Sequence, residues 1–410
     1  MLSETVTLDG HIVDSLTLSK VLDLILLHGG AYEIVRVRIG ATRADTSSAE
    51  IDVKADDAAQ LERILHVIGQ HGATRPTEAV RSAPAPARGV FPDGFYATTN
   101  LDTFVRFGGS WIPVEPIEMD CGILLTGDPA DPANLSAAAV PMHRIRKGDR
   151  VVVGDAGVRV VPLAPRDPTS LFSFMGSDVS TERPKEIVIA AVARRMREVK
   201  AAGQKVLLVG GPAIVHTGAA RSLESLIRAG WIDVLFAGNA LATHDIERAL
   251  FGTSLGVEVD TGAPAAHGHE HHLRAINAIR MAGGIRQAVE QALLTTGIMH
   301  ALIERNVPFV LAGSIRDDGP LPDVITDSVQ AQDRMRDHIP GIGIALLVAT
   351  TLHSVATGNL LPASVTTLCV DSDADTVIKL MDRGSHQAFG LVTDCEFFMK
   401  ELAARLEEAP

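Results

Sequence analysis

The stretch Lys205-Val-Leu-Leu-Val-Gly-Gly-Pro212 decides the fold of this chain. Its apolar residues run continuously instead of alternating with polar ones, and they end in two glycines. This pattern is typical of a parallel β-strand that helices cover on both faces. Five more runs of the same kind follow it, over Asp233–Gly238, Pro308–Gly313, Ile344–Ala349, Thr367–Asp371 and Phe389–Asp394.

Segments with helical spacing of apolar residues separate these strands. They include Pro184–Ala202, Ala220–Ala229, Asp245–Leu250, Ala275–Thr295 and Ala374–Arg383. Strands that alternate with helices predict a parallel sheet between two helical layers. We therefore expect residues 184–410 to form a doubly wound α/β domain.

Two smaller regions precede this domain. Residues 1–75 predict a two-layer α+β unit, with strands over Thr5–Val13, Tyr32–Arg38 and Ile51–Lys54 and helices over Leu16–Leu27 and Ala58–Gln70. Such a unit either binds an amino acid, dimerises or only packs. Arg75–Arg88 is rich in Pro, Ala and Arg and is predicted to be a linker. Short alternating runs between turn residues predict a small β-rich domain over residues 89–183.

Composition excludes several classes of function. The chain has 410 residues and a formal charge of −13, from 37 Lys and Arg against 50 Asp and Glu, so nucleic acid is not an expected partner. Its three cysteines, none in a CxxC pair, predict a reducing, cytoplasmic setting. The longest apolar stretch, near Ile342–Ala349, is too short to span a bilayer, and the first residues lack the basic and apolar regions of a signal peptide. Neither membrane insertion nor secretion is expected.

The strand ends predict a binding site. In an open parallel sheet, ligands bind beyond the carboxyl ends of the strands. The six strands end in, or lead into, small, acidic or hydroxyl residues: Gly210, Gly238, Gly313, Thr350, Thr351, Asp371 and Asp394. Gly211 and Gly313 would let the backbone approach a phosphate, while Asp371 and Asp394 could accept ribose hydroxyl bonds. The alternative is that these are ordinary strand-end turns; a GxGxxG dinucleotide fingerprint is absent.

Motifs along nearly the whole chain resemble the archaeal-type, NAD-dependent ornithine cyclodeaminases. The motifs are Asp93-Gly-Phe-Tyr-Ala-Thr-Thr-Asn100, Glu118-Met-Asp-Cys-Gly122, Glu182-Arg-Pro-Lys-Glu186, Gly210-Gly-Pro-Ala-Ile-Val-His216, Phe236-Ala-Gly-Asn-Ala240, His271-His-Leu-Arg-Ala-Ile-Asn277 and Ala312-Gly-Ser-Ile-Arg-Asp-Asp-Gly-Pro320. The N-terminal part is similar to the conserved region of lysine-ketoglutarate reductase/saccharopine dehydrogenases (LOR/SDH). In cyanobacterial relatives an arginine dihydrolase domain precedes this unit. Here the chain opens directly with the α+β unit, so arginine hydrolysis is not expected.

The resemblance implies conversion of L-ornithine to L-proline and ammonia, with NAD held by a domain similar to that of deoxyhypusine synthase. A hydride would pass from the ornithine α-carbon to NAD, the δ-amine would close the ring with loss of ammonia, and the hydride would return. Acidic strand tips favour NAD over NADP. The resemblance places cofactor contacts at Asn239, Ala240, Asp318, Thr350, Thr351, Leu352, His353, Asp371 and Asp394.

Candidates for the chemistry follow from what ornithine requires. Arg106 or Lys185 could hold the α-carboxylate, and Asp120 or Asp93 the δ-ammonium. Protons and orientation could fall to Cys121, Tyr96, Asn100 or His216. Each also has a structural interpretation: Asp93-Gly94 is a good turn, Cys121 a core filler and Lys185 a first-turn surface residue.

The run His267-Gly-His-Glu-His-His272 has the composition of a metal site but lacks a separated second ligand group, so no metal is expected. A polar loop is the preferred interpretation, although His269, His271 or Asn277 could face the substrate. Other functions remain open: an amino-acid and NAD sensor, an NAD-dependent amino-acid dehydrogenase, or a deoxyhypusine synthase. A multidomain enzyme of this size is also expected to form homo-oligomers.

Overall fold

The computed structural model describes residues 2–13, 15–42, 45–75, 79–131, 134–161, 185–258, 268–317, 319–383 and 388–407. The chain divides into two compact units. The first comprises Met1–Asp167 with Leu361–Ala363, and the second comprises Pro168–Leu360 with Ser364–Pro410. Among the described residues, no helix is both long and apolar enough to cross a membrane.

The first unit opens with a small α+β layer pair. Its elements are β1 (Leu2–Gly10), α1 (Thr17–Leu27), β2 (Ala31–Arg38), β3 (Ser47–Ala55) and α2 (Ala58–Gly69). The strands form an antiparallel sheet in the order β1-β3-β2. Alternate residues of β3, including Ile51 and Val53, are buried beneath the helices, which explains the period-2 pattern of the sequence. Asp57 caps α2 by accepting the Gln60 N–H at 2.8 Å.

The β-rich remainder of this unit contains seven short strands. They are β4 (Arg81–Pro84), β5 (Thr103–Phe107), β6 (Ser110–Pro113), β7 (Gly122–Thr126), β8 (Ser136–Val140), β9 (Arg150–Val153) and β10 (Val158–Val160). They form two sheets, in the orders β4-β9-β7-β8 and β10-β5-β6. The predicted linker over Arg75–Arg88 is therefore wrong in part, because β4 pairs with β9. β4 is a mostly exposed edge strand that tolerates Pro84 and shows no apolar period.

The second unit is the predicted α/β domain. Its helices are α3 (Lys185–Ala201), α4 (Ala213–His216), α5 (Ala220–Arg228), α6 (Asn239–Phe251), α7 (His271–Ala282), α8 (Ile285–Glu290), α9 (Ile298–Glu304), α10 (Ser328–Arg336), α11 (Leu352–Leu360), α12 (Ala374–Arg383) and α13 (Cys395–Glu407). Its strands are β11 (Lys205–Gly210), β12 (Val234–Gly238), β13 (Thr253–Ser254), β14 (Val257–Glu258), β15 (Phe309–Ala312), β16 (Val324–Ile325), β17 (Ile342–Val348), β18 (Thr366–Asp371) and β19 (Ala388–Val392).

Seven of these strands form one parallel sheet in the order β16-β15-β12-β11-β17-β18-β19. Every residue of β17 is buried, as a central strand covered on both faces requires. The predicted doubly wound fold is confirmed. From β11 the chain first builds one half of the sheet through β12 and later returns to build the other half from β17. The carboxyl ends of β11 and β17 therefore form the topological switch point, where such folds bind ligands.

Two predicted helices differ from the structure. The helix expected over Ala275–Thr295 is interrupted, because Gly283 and Gly284 adopt φ values of +94° and +145° that end α7 and begin α8. The helix expected from Asp245 begins earlier, at Asn239, directly after β12. Asn239 and Thr243 are buried polar residues, which hid the start of this helix from an apolar periodicity.

Candidate functional site

The switch point brings two backbone segments into close contact. A Cβ on Gly211 would lie 1.7 Å from the carbonyl oxygen of Ala349, so only glycine fits there. The Gly211 N–H donates to Val348 O at 3.0 Å, and the Gly313 N–H donates to Ile325 O at 2.9 Å. Both N–H groups are therefore bonded within the fold, and any N–H donors for a phosphate must come from a helix start nearby. Contact of either glycine with a cofactor stays a prediction.

A helix start close to this crossing is the start of α6. The helix begins at Asn239 with Gly238 as its N-cap, and no side chain among the described residues caps it. The first N–H groups of a helix have no acceptor within the helix, and its dipole makes that end positive. The Asn239 side chain is buried and its Oδ1 accepts the Leu321 N–H at 3.0 Å, which fixes the neighbouring loop. Ala240 lies in the first turn, where its N–H is available to an anion.

His353 lies over this helix start. A Cβ on Gly238 would approach the His353 ring to 2.8 Å at Cε1 and 3.3 Å at Nε2. His353 Nδ1 and Thr350 Oγ1 are 3.3 Å apart. Burial lowers the pKa of His353, and Asp317 opposes that shift, so the ring is neutral at pH 7. These two predicted positions therefore come together with Gly238 at the ends of β12 and β17.

The remaining predicted cofactor positions differ in exposure and in hydrogen bonding. Thr351 and Leu352 are exposed at the start of α11. The Asp371 carboxylate is half-buried and accepts the Asp373 N–H at 3.0 Å. Asp394 Oδ1 accepts the N–H groups of Glu396 and Phe397 at 2.8 and 3.1 Å, which makes it the N-cap of α13. Asp318 lies outside the described residues.

A buried polar network lies beside α4 and α6, two helices that pack together. The His216 and His244 rings stand edge to face with centroids 4.7 Å apart. His216 Nδ1 shares a 2.6 Å hydrogen bond with Ser254 Oγ, and His244 Nδ1 lies 2.8 Å from Glu247 Oε2. Glu247 is fully buried, and its Oε1 also accepts from Thr253 Oγ1 at 2.9 Å.

Electrostatics give this network a defined protonation state. Burial, and then the neighbouring His244, lower the pKa of His216 to about 4. Burial alone would raise the pKa of Glu247, but hydrogen bonds from His244, the Gly256 N–H and Thr253 outweigh it and lower the pKa. At pH 7 the His216 ring is therefore neutral and the Glu247 carboxylate is ionised. The sequence predicted His216, and also His271, whose Nδ1 contacts Thr253 Oγ1 of this network. It missed His244 and Glu247, although their i, i+3 spacing places both side chains on one face of a helix.

In the first unit, Thr98 fastens the loop that carries Asp120 and Cys121. Its hydroxyl donates to Glu118 O at 2.5 Å and accepts the Cys121 N–H at 3.0 Å. Asp120 has a left-handed φ of 60° and its side chain is exposed, whereas Cys121 is buried. The loop therefore presents the Asp120 carboxylate and hides the Cys121 thiol.

Three other predicted residues of this unit differ in environment. Asn100 is only 2% exposed, and its Nδ2 has no hydrogen-bond partner within the described part of the chain. Burial, and then Asp155, raise the pKa of Tyr96 to about 12, so the phenol is a donor and not a base. Arg106 lies half-buried on β5. Asp93 is exposed and accepts the Gly94 N–H at 3.0 Å, which agrees with the turn interpretation.

The other candidates belong to the second unit. Lys185 is the first residue of α3. Of the histidine run, His267 lies outside the described residues, the His269 side chain is 80% exposed, and His271 Nδ1 lies 2.9 Å from Thr253 Oγ1. Asn277 is exposed and contacts Met281. Within the ranges that the structure describes, no group of three His, Cys, Asp or Glu side chains is arranged to hold a metal ion.

The sheet order defines the class of protein first: a doubly wound α/β protein with a Rossmann-type parallel sheet. Family models divide the same chain into three consecutive matches. Residues 3–101 match the LOR/SDH bifunctional enzyme conserved region, residues 102–189 match the first C-terminal region of ArgZ-like arginine dihydrolases, and residues 190–402 match their C-terminal Rossmann fold.

The chain belongs to the family of ornithine cyclodeaminases that includes the C-terminal part of ArgZ, and the resemblance read from the sequence is confirmed. It is 51% identical to the ornithine cyclodeaminase of Methanopyrus kandleri, over 98% of this chain and 97% of that protein. The crystal structure of cyanobacterial ArgZ matches 99% of this chain at 35% identity and a TM-score of 0.83. The match spans 58% of the ArgZ chain. A ternary complex of AgrE with ornithine and NAD⁺ matches at 37% identity and a TM-score of 0.53, over 99% of this chain and 57% of AgrE.

Proposed function

We propose that this chain is an ornithine cyclodeaminase, which converts L-ornithine to L-proline and ammonia with bound NAD. The observation that carries the proposal is the uncapped start of α6 beneath His353, at the switch point of a Rossmann-type sheet. The ornithine cyclodeaminases to which the chain is similar over its full length support the reaction, and the AgrE complex supports the pairing of ornithine with NAD⁺.

The residues at the switch point fit a dinucleotide. The free N–H groups of Asn239 and Ala240 suit a pyrophosphate, because they combine unsatisfied donors with the positive end of the α6 dipole. The neutral His353 ring and Thr350 provide a hydrogen-bonding wall on one side. Asp371 and Asp394 remain candidates for ribose hydroxyls, and Asp318, Thr351 and Leu352 for further contacts. Bound NAD supplies a two-electron acceptor that takes a hydride and later gives it back.

The chain's own residues would orient ornithine and move protons. Asn100 carries a buried donor with no partner in the described structure, the state expected of a group reserved for a ligand. Arg106 or Lys185 is the candidate cation for the α-carboxylate, and Asp120 the candidate anion for the δ-ammonium. Tyr96 and Cys121 remain candidates for orientation. In the network of His216, His244 and Glu247, the lowered pKa keeps the His216 ring neutral at pH 7, where it can serve as a hydrogen-bonding group.

The decisive assay follows products and cofactor together. Purified protein with excess ornithine and substoichiometric NAD should release proline and ammonia in equal amounts, and the absorbance of NADH at 340 nm should not rise. A steady increase of NADH would instead identify an amino-acid dehydrogenase. Tight NAD binding with no product from ornithine would identify a sensor. Both of these outcomes contradict the proposal.

The division into domains is also part of the proposal. We assign residues 1–75 to an α+β region, 89–183 to a β-rich substrate-side domain and 184–410 to the NAD-binding domain. The structure describes two units, of which the first holds the α+β layer pair and the β-rich sheets. A separate sheet and a separate apolar core for the α+β part support treating it as its own domain.

A further inference from the structure

Strand β2 is an exposed edge with apolar side chains. It pairs with β3 on one side, and no strand pairs with its other side within the described residues. Ile34, Val35 and Val37 on this strand are 42%, 53% and 39% exposed. The opposite edge of the sheet is treated differently, because β1 exchanges backbone hydrogen bonds between Thr7 and Thr74, both at 2.8 Å. An unpaired edge with apolar residues is a template for pairing with another strand.

A bulge sets which face each β2 side chain occupies. Ile34 lies opposite Ile51 and Arg36 lies opposite Glu50, so Val35 is an extra residue between them. Residues that lie opposite the buried positions of β3 share the helix-covered face. These are Tyr32, opposite Val53, Ile34, opposite Ile51, and Val37, opposite Ala49. Glu33 and Arg36 lie opposite the half-buried Asp52 and Glu50, and therefore occupy the open face.

With this bulge, β2 is complementary to a second copy of itself. Consider two antiparallel β2 strands related by a two-fold axis between Ile34 and Val35. Glu33 then faces Arg36 of the second copy on the open face, and Tyr32 faces Val37 of the second copy on the helix-covered face. In a regular strand this register would pair residues of opposite faces, because side chains alternate with a period of two. The extra residue Val35 removes that mismatch for pairs that flank it. Glu33, which is also 2.6 Å from Lys54 Nζ within its own chain, can then face Arg36 of the second copy in this register.

We propose that two copies of this chain associate through antiparallel pairing of their β2 edges, in the register that places Glu33 opposite Arg36. The pairing joins two three-stranded sheets into one six-stranded sheet and satisfies the free backbone groups of both edges. Helix α1 packs over β2, and its last turn exposes Leu26 and Leu27 at 54% and 78%. The two-fold axis brings the α1 helices of both copies together on the same face, where these leucines lose exposed apolar area.

Cross-linking tests the register directly. The three native cysteines are buried, so introduced thiols report on the β2 edge. In the full chain, the double variant Glu33→Cys/Arg36→Cys places facing thiols on opposite copies, and mild oxidation should convert most of it to a covalent dimer on a non-reducing gel. The matched control Ala31→Cys/Arg36→Cys keeps both thiols on the open face but shifts the register by two residues. It should cross-link several-fold less. Equal yields from both, or no dimer from the first, would refute the proposal.

Charge reversal tests the same contact without a covalent bond. Glu33→Arg and Arg36→Glu each place like charges opposite each other twice per dimer, and each should raise the dissociation constant about tenfold in sedimentation equilibrium. The combined variant Glu33→Arg/Arg36→Glu restores opposite charges across the axis and should return to within about threefold of the unmodified chain. Unchanged association in both single variants would contradict pairing at this edge, as would a combined variant weaker than either. Unmodified chains that stay monomeric would also contradict it.

Discussion

The His353 ring lies so close to Gly238 that a Cβ at position 238 would come within 2.8 Å of its Cε1 atom. This contact joins the end of β12 to the start of α11, across the strand end of β11. It also places the ring beside Gly238, the N-cap of α6. The position of His353, and with it one wall of the proposed cofactor site, therefore depends on the absence of a side chain at residue 238.

Gly238→Ala should weaken NAD binding with little loss of stability. The added methyl group displaces the His353 ring, and we expect the dissociation constant for NAD to rise about tenfold, equivalent to about 1.4 kcal/mol. The measurement is NAD titration by calorimetry. Gly358→Ala is the matched control, because that glycine lies in α11 and a Cβ there meets no atom within 4 Å. Its NAD affinity should be unchanged; equal effects of both substitutions would show that the ring position is unimportant.

Asn100→Ala should impair turnover more than stability. The Asn100 Nδ2 has no partner within the described residues, so its removal breaks no protein hydrogen bond there. We expect kcat/KM for ornithine to fall at least about tenfold, with a stability change of about 1 kcal/mol. Thr98→Val is the contrasting variant, since it removes the hydroxyl that bonds Glu118 O and the Cys121 N–H. It should cost about 1–3 kcal/mol. If urea unfolding instead shows equal losses of stability in Asn100→Ala and Thr98→Val, and the folded Asn100→Ala enzyme has normal kinetics, the role of Asn100 is purely structural.

Two substitutions at Asp394 separate its possible roles. Asp394→Ala removes the N-cap of α13 and should lower the free energy of unfolding by about 1 kcal/mol. Asp394→Asn keeps a side-chain acceptor for both N–H groups and should preserve stability, because Asn is as good an N-cap as Asp. Thermal unfolding measures the cap, and NAD titration of the same proteins measures the cofactor contact. Weaker NAD binding by Asp394→Asn would show that the carboxylate charge contacts the cofactor. Normal NAD binding would show that Asp394 only caps α13.

His216 should make the protein less stable in mild acid. Its pKa is about 4 in the folded chain against a usual value of 6.5, so between these values the unfolded chain binds a proton that the folded chain does not. The free energy of unfolding therefore falls as the pH drops through this window. Because His216 is only half-buried, we expect its share between pH 7 and pH 5 to be about 1 kcal/mol, below the full linkage value.

Comparing two histidine variants isolates the contribution of His216 to this loss of stability in acid. The free energy of unfolding, measured in urea at pH 7 and at pH 5, should fall by about 1 kcal/mol less in His216→Gln than in the unmodified chain. His269→Gln, whose side chain is 80% exposed in the native chain, should keep the full decline. A His216→Gln protein that loses stability in acid as steeply as the unmodified chain would show that this imidazole titrates normally.

Local pattern was sufficient for the main architecture but not for its boundaries. Continuous apolar runs such as the one from Lys205 identify buried parallel strands, because both faces of each strand meet helices. The pattern failed where a strand is exposed, as at β4, and where buried polar residues begin a helix, as at Asn239. In both cases the apolar period that marks an element was missing.

The sequence alone determined that the chain has a doubly wound C-terminal sheet whose strand tips carry small, hydroxyl and acidic residues, and its motifs determined the family. Both are properties of short segments, since strand burial and motif spacing are written in neighbouring residues. Only the tertiary structure showed that Gly211 packs against the backbone of Ala349 and that Asp394 caps α13. It alone also showed that the His353 ring lies beside Gly238 at the start of α6. Those roles depend on which distant segments the sheet order brings together, and that order is settled by packing of the whole core.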